Sequence, residues 1–383
     1  MDFLSIVQLP VTTIVFYAVP FLVALMIIVF VHEYGHYKVA RWCGVTIEAF
    51  SIGFGKEITG WNDKYGTRWK LCWIPLGGYV KFEGDANAAS MPDAAQVEEA
   101  KRNPGNFHGK PVWQRAAVVA AGPIANFILA IFIFTAAFWL VGVPVSEPRV
   151  DEVLAGSAAE KAGIIKGDLF ISVDGTEVES FGDLQQAVIT RAGEQLTIVL
   201  KRGEDLKTLV LVPDLREEPD GFGGKMRIGL LGVKHNPGSD ITYTRYGLVK
   251  SVQKGVDRTW FIVTTTFKYL GKLVRGNEKA DQLGGPIAMA KAAGDAASVG
   301  IFSFISVVAF LSVSIGLINL FPIPMLDGGH LVYYGIEAAR GKPLGAGAQE
   351  WGFRIGLSLV VMLMLVGTWN DILRLFSMAV GGT

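Results

Sequence analysis

The stretch Phe21-Leu-Val-Ala-Leu-Met-Ile-Ile-Val-Phe-Val31 runs without a charge straight into His32-Glu33-Tyr34-Gly35-His36. On a helix, positions i and i+4 lie almost one above the other, so His32 and His36 can grip one metal ion. Glu33 sits on their flank, placed to take a proton from a water held by that ion. A helix on the surface of a soluble protein would carry a polar face, and this one carries none before the motif. The pattern puts a metal-binding motif at the end of a membrane span.

The composition of the whole chain agrees. Of 383 residues 51% are hydrophobic and 18% charged, with a mean hydropathy of +0.38, whereas soluble domains are about 25% charged. The fold class is a polytopic α-helical membrane protein. Basic and acidic residues balance at 35 each, and no dense basic tract occurs, which excludes nucleic acid as a partner. The two cysteines, Cys43 and Cys72, are too few for a disulfide framework or a four-cysteine metal site. Met1-Asp2-Phe3-Leu4 supplies no Lys or Arg before the apolar run, and no small-residue cleavage site follows Val31, so the first segment reads as retained.

Four stretches are apolar enough to span a bilayer: Ile14 to the His-Glu motif, Ala116 to Val143, Ile301 to Phe321, and Ile355 to Trp369. The last is short for a span and can continue past Asn370 and Asp371. These divide the chain into a first span with the motif (1–42), a cytosolic or membrane-associated β-hairpin region (43–115) and a second span (116–144). An inserted domain (145–215) and a region with an amphipathic helix (216–300) follow. A third span (301–350) and a fourth span with its tail (351–383) complete it. The segment from Tyr37 to Arg115 carries eleven Lys and Arg residues, among them Lys38, Arg41, Lys70, Lys81 and Arg102, while the segment before the first span carries none. The positive-inside rule then puts this connection in the cytosol, both termini outside, and residues 145–300 in the extracytoplasmic space. Both cysteines fall on the reducing side.

Within the inserted region, Gly156-Ser-Ala-Ala159, Ala162-Gly163, Gly167-Asp168 and Val173-Asp-Gly175 occur in order between short alternating segments. From about Glu147 to Asp214 this resembles a PDZ domain of the bacterial protease-associated type, a β-rich module that binds extended peptides at a sheet edge. Beyond it, Val249, Val252, Val256, Trp260, Val263, Phe267 and Leu270 recur at helical spacing among Lys250, Lys254, Arg258 and Lys268. They predict an amphipathic helix, packed on the inserted domain or lying on the membrane surface.

A catalytic zinc takes three protein ligands and keeps a position for water, so the two histidines need a partner. The best candidate is Asp327 in Asn319-Leu-Phe-Pro-Ile-Pro-Met-Leu-Asp-Gly-Gly-His330. Its prolines must break the third span, and unwound backbone at membrane depth is tolerated only where it faces protein or a water-filled cavity. An acid there is costly and points to function. The first and third spans both enter from outside, so Asp327 arrives at the same depth as His32 and His36. His330 is the main competing ligand; His108 and His235 lie in polar loops and read as surface histidines. Trp69 to Phe82 reads as a β-hairpin with a Pro-Leu-Gly-Gly turn, able to offer a strand edge.

These residues together resemble the bacterial site-2 proteases, intramembrane zinc metalloproteases of the regulator-of-sigma-E type, over almost the full length. The resemblance implies Zn2+ as cofactor, His32, His36 and Asp327 as its ligands, and Glu33 as the catalytic carboxylate. It implies substrate contact for Asn319 and, more weakly, for Asn126, and a membrane-dipping β-loop for Trp69–Phe82. It implies residence in the bacterial inner membrane, with the lipid bilayer as surroundings and the PDZ domain meeting peptide or substrate ends. The expected substrates are single-span membrane proteins such as anti-sigma factors, or remnant signal peptides. Two other classes stay open: a membrane zinc protease acting on soluble or lipidated peptides, and a catalytically idle membrane PDZ scaffold.

Overall fold

A computed structural model describes residues 11–85, 103–219, 225–235, 242–276 and 284–381. Met1–Leu4 and Arg102, used above for topology, lie outside them. Helix α1 (Val11–Trp42) carries the apolar run and the metal motif on one continuous rod. At 1.5 Å per residue it is about 48 Å long, more than the ~30 Å of bilayer hydrocarbon. Among the described residues four helices are long and apolar enough to cross a membrane: Thr12–Trp42, Val112–Val141, Ile301–Asn319 and Gly347–Phe376.

The fourth is much longer than Ile355–Trp369, since α9 runs from Ala346 to Gly381. Asp371 does not end it, because the carboxylate is met by protein. It accepts the backbone N–H groups of Gly285, Ile287 and Ala288, each at 3.0 Å, at the start of α6 (Pro286–Val299). An anion at a helix N-terminus is stabilised by the orphan donors and the helix dipole.

Small residues bring the helices together, as they must where lipid is as apolar as the packing partner. A Cβ on Gly35 of α1 would lie 2.3 Å from the Ala121 carbonyl oxygen of α2 (Val112–Ala136). Helix α7 (Ile301–Asn319) also packs on α2, where Ser312 Oγ donates to the Asn126 carbonyl at 2.9 Å. Helix α8 (Asp327–Arg340) is tied to α2 by a bidentate ion pair, Arg115 to Glu337 at 2.6 and 3.1 Å.

Between α1 and α2 the chain forms β1 (Ile47–Asn62) and β2 (Arg68–Phe82). The expected Trp69–Phe82 hairpin does not form, because its two arms do not pair with each other. Phe50 lies beside both Trp69 and Val80, and Ser51 beside both Lys70 and Tyr79. The order across the sheet is therefore 57–62, 68–72, 49–52, 78–82. The cause is the aromatic core: Phe50 is fully buried, stacks on Trp69 at 4.1 Å and meets Tyr37 of α1 edge-on at 5.8 Å. Burying that ring draws 49–52 between the arms and leaves 78–82 as an edge strand.

The inserted unit holds β3 (Glu152–Val153), α3 (Ala158–Lys161), β4 (Leu169–Val173), β5 (Thr176–Glu177), α4 (Phe181–Ile189), β6 (Leu196–Arg202) and β7 (Asp205–Leu211). Its sheet order is β5-β4-β6-β7 around a core of Val150, Ile164, Phe170, Leu184, Ile198 and Leu200. Ser157 and Ser180 cap α3 and α4 through their hydroxyl oxygens. Leu231 enters the same core and β8 (Val233–Lys234) pairs with β3, so the unit extends beyond the 145–215 expected for it.

The amphipathic helix is present as α5 (Leu248–Val274). It packs on both neighbours. Lys250 and Lys254 pair with Glu179 of the inserted unit at 2.9 and 3.2 Å, while Ile262 joins Ala130, Phe134, Ala309 and Val313 of α2 and α7.

One buried charge anchors the inserted unit. Asp168 accepts from Arg202 Nε at 2.8 Å, Arg202 Nη2 at 2.7 Å and Ile165 N at 3.0 Å. Burial raises its pKa, but Arg202 and the Ile165 N–H outweigh that and hold it below the usual carboxylate value. Its stabilisation is full above the unfolded pKa of about 4 and is lost as pH falls through the lowered folded value. Asp168→Asn should cost about 2 kcal/mol at neutral pH and remove that acid dependence, measured as thermal unfolding in detergent against pH. An unchanged acid limb in the variant would reject this assignment.

Candidate metal centre

His32 and His36 project from α1 at 3.2 Å between their Nε2 atoms, and each residue is 8% exposed. Asp327 opens α8, with its Oδ2 at 3.1 Å from His32 Nε2 and 3.5 Å from His36 Nε2. Among the described residues these three form the one cluster of ligand-type atoms within 4.8 Å of one another. His330, the rival for the third position, lines the same cavity and is not in the cluster.

Asp327 reaches this point through a tight reversal after α7. Pro322 and Pro324 stop the helix, and Met325 takes a φ of 96°, in the left-handed region. Gly328 and Gly329 then let α8 fold back: a Cβ there would stand 2.2 Å from Phe321 O and 2.3 Å from Ile323 O respectively.

The three atoms fit a cation. His36 Nδ1 lies 2.8 Å from the Val118 carbonyl, which only accepts, so Nδ1 carries the hydrogen and Nε2 a lone pair. That lone pair faces His32 Nε2 and Asp327 Oδ2. One proton between the neighbours cannot satisfy all three atoms; a cation among them can. Their separations of 3.1, 3.2 and 3.5 Å also match the edge of about 3.4 Å that tetrahedral bonds of about 2.05 Å require.

Gly122 makes room for this triangle. A Cβ at that position of α2 would stand 2.2 Å from His36 Nε2 and 2.9 Å from His32 Nε2. The sequence shows Gly122 as one glycine in an apolar run, and its function becomes visible only when α1 and α2 are brought together.

Glu33 faces a cavity of about 210 Å³ that is lined by His32, His36, Asp327, Asn319, Gly78 and Val80, among others. Glu33 also lies against the β2 edge, where a Cβ on Gly78 would stand 3.3 Å from Glu33 Cγ. Asn319 is thus brought to the cavity. Asn126 is not: it is fully enclosed behind His32, with its amide nitrogen 3.3 Å from His32 Nδ1. A larger open depression of about 840 Å³ on the inserted unit contains none of these residues.

The remaining histidines are not free surface groups. His108 Nε2 lies 2.9 Å from Asp85 Oδ1, and His235 Nδ1 lies 3.0 Å from Asp151 Oδ2. Each is drawn inward by a carboxylate that no local sequence pattern reveals. Cys72 is buried 3.3 Å from Ser51 Oγ, away from the centre, and Cys43 is half-buried.

A model of peptidase family M50 matches residues 20–363. The chain belongs to that family. A provisionally named zinc metalloprotease of Agrobacterium fabrum is 50% identical over 360 residues, covering 93% of this chain and 95% of that protein. A provisionally named zinc metalloprotease of Rhizobium meliloti is 47% identical over 364 residues (94% and 97%). Metalloprotease MmpA of Caulobacter vibrioides is 41% identical over 380 residues (93% and 95%). This M50 peptidase is a zinc metalloendopeptidase of the site-2 protease family, and Zn2+ is its metal.

Gly122→Ala should abolish stoichiometric zinc while leaving α2 helical, since alanine is the better helix former. Metal analysis of the purified variant beside its circular dichroism spectrum checks both, and full zinc content would show that the close approach is unnecessary.

Proposed function

We propose that this peptidase cuts peptide bonds within transmembrane segments of single-span membrane proteins. His32, His36 and Asp327 hold the zinc, and Glu33 is the catalytic carboxylate. The observation that carries the reading is the convergence of His32, His36 and Asp327 among helices apolar enough to span a bilayer. A soluble peptide has no need of a site between such helices, and that weighs against the reading in which only soluble or lipidated peptides are cut.

Bound Zn2+ supplies a Lewis acid that polarises the scissile carbonyl and acidifies water toward a pKa of about 7. Glu33 takes the proton as water oxygen adds to the carbonyl carbon, and returns it to the amide nitrogen as the C–N bond breaks. The β2 edge at Gly78 packs against the Glu33 side chain and limits its positions during both transfers. Enclosure by α1, α2 and β2 keeps bulk water from competing with the one water that reacts.

A transmembrane helix hides its amides in internal hydrogen bonds and must unwind before it is cut. The edge at 78–82 is the surface that would receive the unwound segment, and Asn319 would bond one of its freed backbone groups. The inserted unit acts as a PDZ domain that screens substrate ends. By the lysine and arginine bias, it lies outside the bacterial inner membrane with both termini, and the metal centre lies in the cytosolic half. Anti-sigma-factor-like proteins already trimmed outside, and remnant signal peptides, fit this access. Release of their cytosolic portions would make the enzyme a component of regulated intramembrane proteolysis.

Co-expression with tagged single-span proteins tests the reading. Wild type should release a cytosolic fragment, and Glu33→Gln should reduce release by at least about 100-fold. No fragment from any outer truncation, or equal release by both enzymes, would reject it. Asp327→Ala should lower zinc content well below one per chain, and an unchanged content would remove Asp327 from the ligand set.

A further inference from the structure

We propose that Asn126 is a positioning residue of the metal centre, whose side-chain oxygen accepts the His32 Nδ1 hydrogen and keeps His32 Nε2 free to ligate. The inference rests on the metal reading above and replaces substrate contact as the role of Asn126.

A neutral imidazole has one N–H. If Nε2 binds metal, that hydrogen is on Nδ1 and needs an acceptor, because ligating histidines are oriented by the bond their other nitrogen makes. His36 has such an acceptor in the Val118 carbonyl at 2.8 Å. The side-chain atom recorded beside His32 Nδ1 is the Asn126 amide nitrogen at 3.3 Å, which cannot accept. On the same side chain Oδ1 is buried with no hydrogen-bond partner. Turning the carboxamide over places its oxygen where it accepts from Nδ1–H, the bond that an Nε2-ligating His32 requires.

Asparagine suits this position because it serves either tautomer of His32. Its nitrogen donates to Nδ1 when Nε2 holds the proton, and its oxygen accepts when Nε2 ligates. The surrounding structure holds the residue at this place. Asn126 is fully buried, its backbone carbonyl takes the Ser312 hydroxyl at 2.9 Å, and Gly316 admits its Cβ: a methyl there would stand 3.1 Å away. No route to the cavity remains for the amide, whereas Asn319 lines that cavity.

The test is zinc affinity by chelator competition on the full chain in nanodiscs, with wild type, Asn126→Leu and Asn126→Asp, beside thermal unfolding. Leucine keeps the shape and removes the acceptor; aspartate keeps an acceptor and removes the donor. Leucine should weaken zinc about 10- to 100-fold, and aspartate should bind at least as tightly as wild type. Equal affinity of the leucine variant and wild type would overturn the proposal, as would equal weakening in both variants, which would mark a packing role. Should the leucine variant not fold, aspartate decides alone, and a tenfold weakening would overturn the assignment. Wild type that binds no zinc would instead overturn the metal reading itself.

Discussion

The candidate metal centre depends on how closely α1 approaches α2. Gly35 presses on the Ala121 carbonyl, and Gly122 yields the space where the imidazoles stand. At that separation Val118 O reaches His36 Nδ1 and Asn126 reaches His32 Nδ1. Each histidine is thereby oriented by a group on the neighbouring helix rather than on its own. Two side chains at i and i+4 are common on helices. What turns these into a binding site is a second helix with no side chain at the facing position.

The same economy applies to charge. Groups that would be costly in hydrocarbon are paired within the protein: Asp371 with the first turn of α6, Arg115 with Glu337, Asp327 with the histidine pair. Arg115–Glu337 also fixes α8 to α2, so the helix that begins with Asp327 is held at both ends, by this ion pair and by the Gly328-Gly329 fold-back. The position of the Asp327 carboxylate thus follows from packing, and the strained turn at Met325 is kept in place by it.

Much of this was legible in the chain. The apolar run ending in His32 and His36, and the prolines before Asp327, point to both halves of the candidate centre because each breaks a membrane rule that only function or pairing excuses. The extents of α1, α5 and the third span follow from periodicity and hydropathy. The sheet did not, because Trp69–Phe82 carries every local sign of a hairpin while Phe50, nineteen residues before Trp69, wins the place between its arms. The continuation of the fourth span past Asp371 could be expected, but the partners of that carboxylate, backbone donors of a distant helix, could not. Gly122 and the Val118 carbonyl carry no side-chain signal at all, so their contribution appears only in three dimensions.

The central claim is that one imidazole-rich triangle, His32, His36 and Asp327, holds the zinc. X-ray absorption at the zinc edge on the protein in nanodiscs addresses it directly. The account predicts two imidazole nitrogens with only oxygen ligands besides, at about 2.0–2.2 Å, and no sulfur shell. A sulfur at about 2.3 Å, or a third imidazole in place of the carboxylate, would contradict it.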